Sequence, residues 1–263
     1  MAGPAPGAFA FASPWAQPLA GQTALVTGAG RGIGRGVAQE LAAAGARVIV
    51  ADLDLDTARE TAAGLGAAAA AALPVDVADP GSVEQLLRSA GESGERIDIL
   101  ANVAGVISLA PVTDLAVGDW DRVMNVNARG TFLVSRAVLP GMIEAGAGAI
   151  INISSAAGKD GTAGSAHYSS SKFAVIGFTQ SLAKEVAQFG IRVNAVCPGV
   201  VPTQMIADVG TAWQMSTEQM VRDWQLIKRP QEAREIGAAV VFLTVMTSMT
   251  GQSINVDGGS VFH

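Results

Sequence analysis

Residues 23–52 constrain this chain more than any other stretch. Thr23-Ala24-Leu25-Val26-Thr27 is a short apolar, β-favouring run, and Gly28-Ala29-Gly30-Arg31-Gly32-Ile33-Gly34 follows it. The glycines open into a segment with apolar residues at Ile33, Val37 and Leu41, the spacing of one helix face. After a break at Gly45, a second apolar run, Arg47-Val48-Ile49-Val50-Ala51, ends in Asp52. Strands joined through a helix in this way run parallel with a right-handed crossover, so the segment commits the chain to an α/β architecture.

The alternation continues, with strands expected near Thr23, Arg47, Leu73, Ile97, Ala149, Arg192 and Ser253. This predicts a doubly wound, Rossmann-type parallel sheet of about seven strands with helices on both faces. Its functional groups belong at the C-terminal ends of the strands. At 263 residues, 49% of them hydrophobic, the chain has material for one large domain with a two-sided core. Residues 1–20 carry no charge, include Pro4, Pro6, Pro14 and Pro18, and lack the basic start of a secretory signal; they read as a flexible extension before a catalytic domain over 21–263. The alanine run Ala67 to Ala72 reads as the join between a helix and the strand before Asp76. Gly237 to Val256 is uncharged, but its second half is rich in Thr, Ser, Gln, Asn and Gly, so it reads as a buried helix running into a last strand and not as a membrane span.

Charge and composition exclude other classes. A net charge of -6 would repel a phosphate backbone, which argues against nucleic-acid binding. One cysteine, Cys197, and two histidines, His167 and His263, cannot supply the roughly four ligands of a structural zinc site. A lone cysteine also permits no internal disulfide, which fits a reducing cytoplasm.

The glycine turn and the chemistry of a second segment point to function. Glycines let the backbone approach a pyrophosphate, and a helix N-terminus directs free N–H groups and partial positive charge at it. Asp52, 18 residues beyond Gly34, is placed to bind ribose hydroxyls and repel a 2'-phosphate. Asp52 argues for NAD and Arg31 for NADP; the acid weighs more, because an anion directly beside the 2'-position costs more than a flexible cation recovers. Tyr168, the only tyrosine, lies four residues before Lys172 at the head of a helix expected over Lys172 to Phe189. That spacing puts phenol and ammonium on one face, where a cation favours the phenolate and draws its pKa down toward neutrality. His167, its neighbour, points elsewhere on such a helix and reads as a site-edge or helix-start residue.

From Leu19 to the C-terminus the chain resembles the short-chain dehydrogenase/reductase family. Thr27-Gly28-Ala29-Gly30-Arg31-Gly32-Ile33-Gly34 matches its T-G-x-x-x-G-x-G motif, and Asp76-Val77 its adenine-contacting Asp. Asn102-Val103-Ala104-Gly105 matches its N-N-A-G element with valine in place of the second asparagine, a departure bearing on a strand-stabilising contact. Asn127-Ala128-Arg129-Gly130 matches the N-x-x-G string of the family's asparagine, the glycine selecting Asn127 over Asn125. Ser155, 13 residues before Tyr168, matches its serine, and Pro198-Gly199 its P-G element, with Val201 and Thr203 placed to meet the nicotinamide carboxamide.

The resemblance implies an NAD-preferring alcohol dehydrogenase or ketone reductase, with NADP possible. Asn127, Ser155, Tyr168 and Lys172 are the implied catalytic residues. Gly28, Arg31, Gly32, Ile33, Gly34, Asp52, Asp76, Val77, Asn102, Ala104, Gly105, Tyr168, Lys172, Pro198, Gly199, Val201 and Thr203 are the implied cofactor contacts, and Ser155 and Tyr168 meet substrate. Ser155 holds the substrate oxygen, Tyr168 exchanges its proton, Lys172 lowers the tyrosine pKa and bonds the nicotinamide ribose, and Asn127 holds a water leading to solvent. Alternatives are an NADPH-dependent 3-oxoacyl-carrier-protein reductase and a non-catalytic nucleotide sensor. Residues 202–230, with Met205, Ile206, Trp213, Met215, Met220, Trp224 and Leu226, read as a substrate lid or as plain helical packing. A small-molecule alcohol or ketone, a cytoplasmic location and a homotetramer complete the expectations, with no nucleic acid or membrane partner.

Overall fold

The computed structural model describes residues 17–92 and 94–263. Most of the extension expected over 1–20 lies outside the described residues. Its last residues belong to the packed domain: Leu19 is buried in the core, and its N–H donates to the Ala44 carbonyl at 3.0 Å.

The elements alternate along the chain as β1 (Thr23–Thr27), α1 (Gly32–Ala43), β2 (Arg47–Asp52), α2 (Leu55–Leu65), β3 (Ala69–Pro74), α3 (Pro80–Glu92), β4 (Ile99–Asn102), α4 (Val117–Met124), α5 (Gly130–Ala145), β5 (Gly148–Ile153), α6 (Ala166–Val186), β6 (Ile191–Pro198), α7 (Gln204–Trp213), α8 (Thr217–Trp224), α9 (Ala233–Val245) and β7 (Ser253–Val256). The seven strands pair parallel in the order β3-β2-β1-β4-β5-β6-β7. The chain runs outward from β1 to β3 and then crosses to β4 on the other side of β1, so a crevice opens above the C-terminal ends of β1 and β4.

A parallel sheet covered on both faces is apolar on both, and side chains alternate between two cores. Val26 and Val50 pack with Leu41, Ile236 and Val240 beneath α1 and α9. Their neighbours Leu25 and Ile49 pack with Leu86, Val138 and Val186 beneath α3, α5 and α6. The α1–α9 contact is close because both helices present glycine: a Cβ on Gly36 would stand 2.7 Å from the Ala233 carbonyl carbon, and one on Gly237 would stand 2.7 Å from the Gly36 oxygen.

Two local expectations change. Ala67 and Ala68 lie in a 3-10 turn that joins α2 to β3, but from Ala69 the alanine run is the edge strand itself, with Ala71 and Ala72 paired with Ile49 and Val50 of β2; pairing with a formed neighbour outweighs alanine's low β-propensity. The helix carrying the tyrosine begins at Ala166, before Tyr168, and ends at Val186, with a 3-10 turn over Ala187–Phe189. Between α4 and α5 the backbone widens into a π-helical stretch, Asn125–Arg129, where Asn127 turns into the protein and is 1% exposed. The 237–256 segment is α9 and β7, and among the described residues no helix is long and apolar enough to cross a membrane.

Candidate active site

The glycine turn forms a cradle that side chains would fill. Gly28 has φ +64°, and a Cβ there would stand 2.7 Å from Ala104 Cα. A Cβ on Gly34 would meet the Gly28 carbonyl oxygen at 2.0 Å, so only glycine lets α1 start against the turn. Thr27 Oγ1 accepts from the N–H groups of Val103 (3.1 Å) and Ala104 (3.3 Å), binding β1 to the segment after β4. The valine in Asn102-Val103-Ala104-Gly105 therefore still joins the strands, through its backbone. Arg31, before α1, offers no side-chain cap, and the first turn holds no acid, so its N–H groups and positive end remain available to an anion. These features fit a dinucleotide's pyrophosphate.

Asp52 ends β2 with Oδ2 accepting from the Gly30 N–H at 2.8 Å and Oδ1 from the Asp54 N–H at 3.1 Å. Its carboxylate is thereby fixed beside the glycine turn, whereas Arg31 is exposed. Thr203 comes to the same turn: a Cβ on Gly32 would stand 3.1 Å from Thr203 Cγ2. Asp76 is exposed and turns its Oδ1 onto the Ala78 N–H at 2.9 Å, while Val77 is buried against Gly130. Ile33 packs on the core beneath α1. Two predicted contacts face inward by their side chains: Asn102 Nδ2 donates to Ser135 Oγ (3.0 Å) and Asn152 Oδ1 (2.9 Å), and Val201 is in the apolar core, leaving only their backbone groups to meet a ligand. After Pro198, Gly199 packs on Asp257 and Gln231, where a Cβ would stand 2.7 Å from Asp257 Cα.

The four residues implied by the resemblance converge beside this cradle. Ser155 follows β5; its Oγ accepts from the Ala157 N–H at 3.1 Å, and the hydroxyl acts to lower the pKa of the nearby Tyr168 phenol. Tyr168 and Lys172 stand one turn apart on α6, the ammonium 5.6 Å from the ring centroid. Lys172 Nζ donates to the Ile153 carbonyl at 2.9 Å, and Ser154 Oγ donates to the Lys172 carbonyl at 2.9 Å, which pins α6 to the end of β5. Asn127 is held on three sides: Oδ1 accepts from the Val106 N–H (2.8 Å), and Nδ2 donates to the Val106 carbonyl (2.9 Å) and to Ser171 Oγ (3.0 Å). A Cβ on Gly105 would stand 3.4 Å from Asn127 Oδ1 and 3.5 Å from Lys172 Nζ, which places these three in one corner.

The electrostatics correct one expectation. Burial pushes the Tyr168 phenol above its ordinary value, and the Ser155 hydrogen bond offsets this only in part. Burial also lowers the Lys172 ammonium to about 8. The ammonium does not acidify the phenol here, because both groups lie away from water and burial disfavours each charged form.

The described geometry can be set beside known proteins. A family model described as short chain dehydrogenase matches residues 22–213. The chain is a short-chain dehydrogenase/reductase. A 3-oxoacyl-[acyl-carrier-protein] reductase from Synechocystis sp. is 36% identical over 92% of this chain and 98% of its own length. A sorbitol dehydrogenase from Cereibacter sphaeroides is 37% identical over 92% and 98%. A crystal structure described provisionally as a gluconate dehydrogenase from Agrobacterium tumefaciens superposes with a TM-score of 0.87 at 33% identity, covering 93% of this chain and 98% of that one. This short-chain dehydrogenase/reductase is accordingly an NAD(P)-dependent oxidoreductase.

Structure adds residues that the motifs of this dehydrogenase do not name. His167, second in α6, is fully buried, with Nε2 2.7 Å from Ser108 Oγ and Nδ1 without a hydrogen-bond partner; burial lowers its pKa. Ser108 lies in an irregular loop that no periodicity marks. Ser171 precedes Lys172 and was hidden in a plain serine run. Residues 202–230 fold as α7 and α8, locked by an edge-to-face contact of Trp213 and Trp224 at 5.5 Å.

Proposed function

We propose that this enzyme interconverts a secondary alcohol and its ketone with NAD(H), Tyr168 Oη carrying the proton. The observation that carries the reading is Lys172 Nζ over the Tyr168 ring, 5.6 Å from its centroid, in one corner with Asn127 and beside the glycine cradle. The nicotinamide, when bound, supplies or accepts the hydride. Ser155 Oγ holds the substrate oxygen against Tyr168 Oη, so bond-breaking begins from an aligned pair. A phenol kept neutral by burial carries the proton that ketone reduction consumes. Lys172 has one N–H on the Ile153 carbonyl, and its remaining donors would bond the cofactor ribose. Asn127 fixes the corner in which a proton leaves Lys172.

NAD preference rests on Asp52, whose carboxylate is held by two backbone N–H groups and would face a 2'-phosphate. Thioester reduction on a carrier protein is the second reading, favoured by the Synechocystis relative, and the same carboxylate argues against its NADPH. A lid over residues 202–230 is supported by the apolar packing of α7 and α8. Exposed Phe132 on α5 and Phe173 on α6 support a homotetramer built on those helices. Hydride transfer followed at 340 nm with secondary alcohols and ketones, for NAD(H) and NADP(H) in parallel, tests the reading. Turnover with NAD supports it; turnover only of 3-oxoacyl thioesters with NADPH favours the second.

A further inference from the structure

We propose that the substrate's larger substituent is apolar, and that this enzyme selects alkyl or aryl carbinols and ketones over polyols. The inference rests on Tyr168 and Ser155 being the reacting pair. Three segments meet beside the start of α6, the helix that carries Tyr168. The loop after β4 brings Ile107 and Leu109, the stretch after Pro198-Gly199 brings Val200, and α7 and α8 bring Ile206, Trp213 and Met220, all in one apolar cluster. Val200 and Met220 are buried, and the others are partly buried against them.

The cluster is tied to the start of α6, just ahead of Tyr168, by one side-chain and one backbone hydrogen bond. Ser108, between Ile107 and Leu109, reaches His167, the residue before Tyr168, and the Ala110 N–H donates to the Gly164 carbonyl at 2.9 Å. Ser108 Oγ and His167 Nε2 are thus spent on each other, which leaves His167 Nδ1 as one buried polar atom without a partner, and most hydroxyls of a polyol would find hydrocarbon and sulfur where they need partners. An alkyl or aryl group instead replaces contacts that the cluster already makes with itself. This separates the chain from what the sorbitol and gluconate names attached to its relatives would lead one to try first.

The test uses the purified full chain with NAD(H) and NADP(H), comparing kcat/KM for 2-butanol, 2-hexanol, 1-phenylethanol, sorbitol and gluconate. A methylene lodged in an apolar pocket changes kcat/KM by ~10–200-fold, so 2-hexanol is expected at least about tenfold above 2-butanol and at least about 100-fold above sorbitol. Leu109→Asn is expected to bring the ratio of 2-hexanol to 2-butanol toward one. Sorbitol or gluconate turned over as well as the alkyl carbinols overturns the apolar assignment while leaving the Tyr168 reading in place, and an unchanged ratio in Leu109→Asn does the same. No hydride transfer with any compound overturns both.

Discussion

The Lys172 ammonium and the Tyr168 ring lie 5.6 Å apart, nitrogen to centroid, and both groups are buried at the end of β5. Lysine over an aromatic face is attractive, but the charge has been taken out of water to get there. Lys172 is lowered to about 8, against the unperturbed value of 10.5 that the unfolded chain retains. Between those values the unfolded state binds more protons, so this residue contributes stability that rises with pH across roughly 8 to 10.5. Urea midpoints at pH 7.5 and 9.5 are expected to show an upward contribution in the wild type that Lys172→Met lacks. Equal pH dependence in the two proteins would mean the ammonium is not desolvated.

The same titration bears on cofactor binding. Above about pH 8 Lys172 loses its charge and one N–H donor. NADH affinity of the wild type is expected to weaken as pH rises through that region, while Lys172→Met binds weakly and without the inflection. Fluorescence titration of NADH across pH 6.5 to 9.5 measures both.

How much of this site the amino-acid order discloses depends on the kind of constraint. Gly28 and Gly34 were legible because a backbone that must approach another backbone at under 3 Å admits no other residue. Tyr168 and Lys172 were legible as types one helical turn apart, whereas Asn127, on the π-helical stretch before α5, and Ser155, after β5, were legible only through the family resemblance. Ser108 was not, because its partner His167 is 59 residues away and only the fold brings them together. The phenol's pKa was misjudged for a related reason: spacing reveals that a cation is near, but burial is a property of the assembled domain. Alanines 69–72 became a strand through their pairing with β2, which no local propensity announces.

Asp52 holds the glycine turn through the Gly30 N–H, and the proposed NAD preference rests on the same carboxylate. Asp52→Arg is expected to shift the NAD-to-NADP ratio of kcat/KM toward NADP by at least about tenfold, the factor equivalent to ~1.4 kcal/mol, since it removes an anion and adds a cation beside the 2'-position. Steady-state kinetics with both cofactors read it out. A ratio unmoved by the change would assign discrimination to Arg31.

Gly36 carries the seam between α1 and α9. A valine there would drive a Cβ to 2.7 Å from the Ala233 carbonyl carbon, so the helices must part. Overpacking of this kind costs about 1–3 kcal/mol, and Gly36→Val is expected to lower the thermal midpoint and weaken cofactor binding through the displaced α1 N-terminus. Differential scanning calorimetry with and without NAD checks this; an unaltered midpoint would contradict the seam.

The decisive measurement is turnover by Tyr168→Phe. Removing one oxygen deletes the proton carrier and leaves the ring, Lys172 and the glycine cradle in place. Proton transfer by a positioned side chain contributes ~10²–10⁴-fold, so kcat is expected to fall at least about 100-fold while NAD affinity stays within about threefold. A variant that turns over at the wild-type rate would contradict the account.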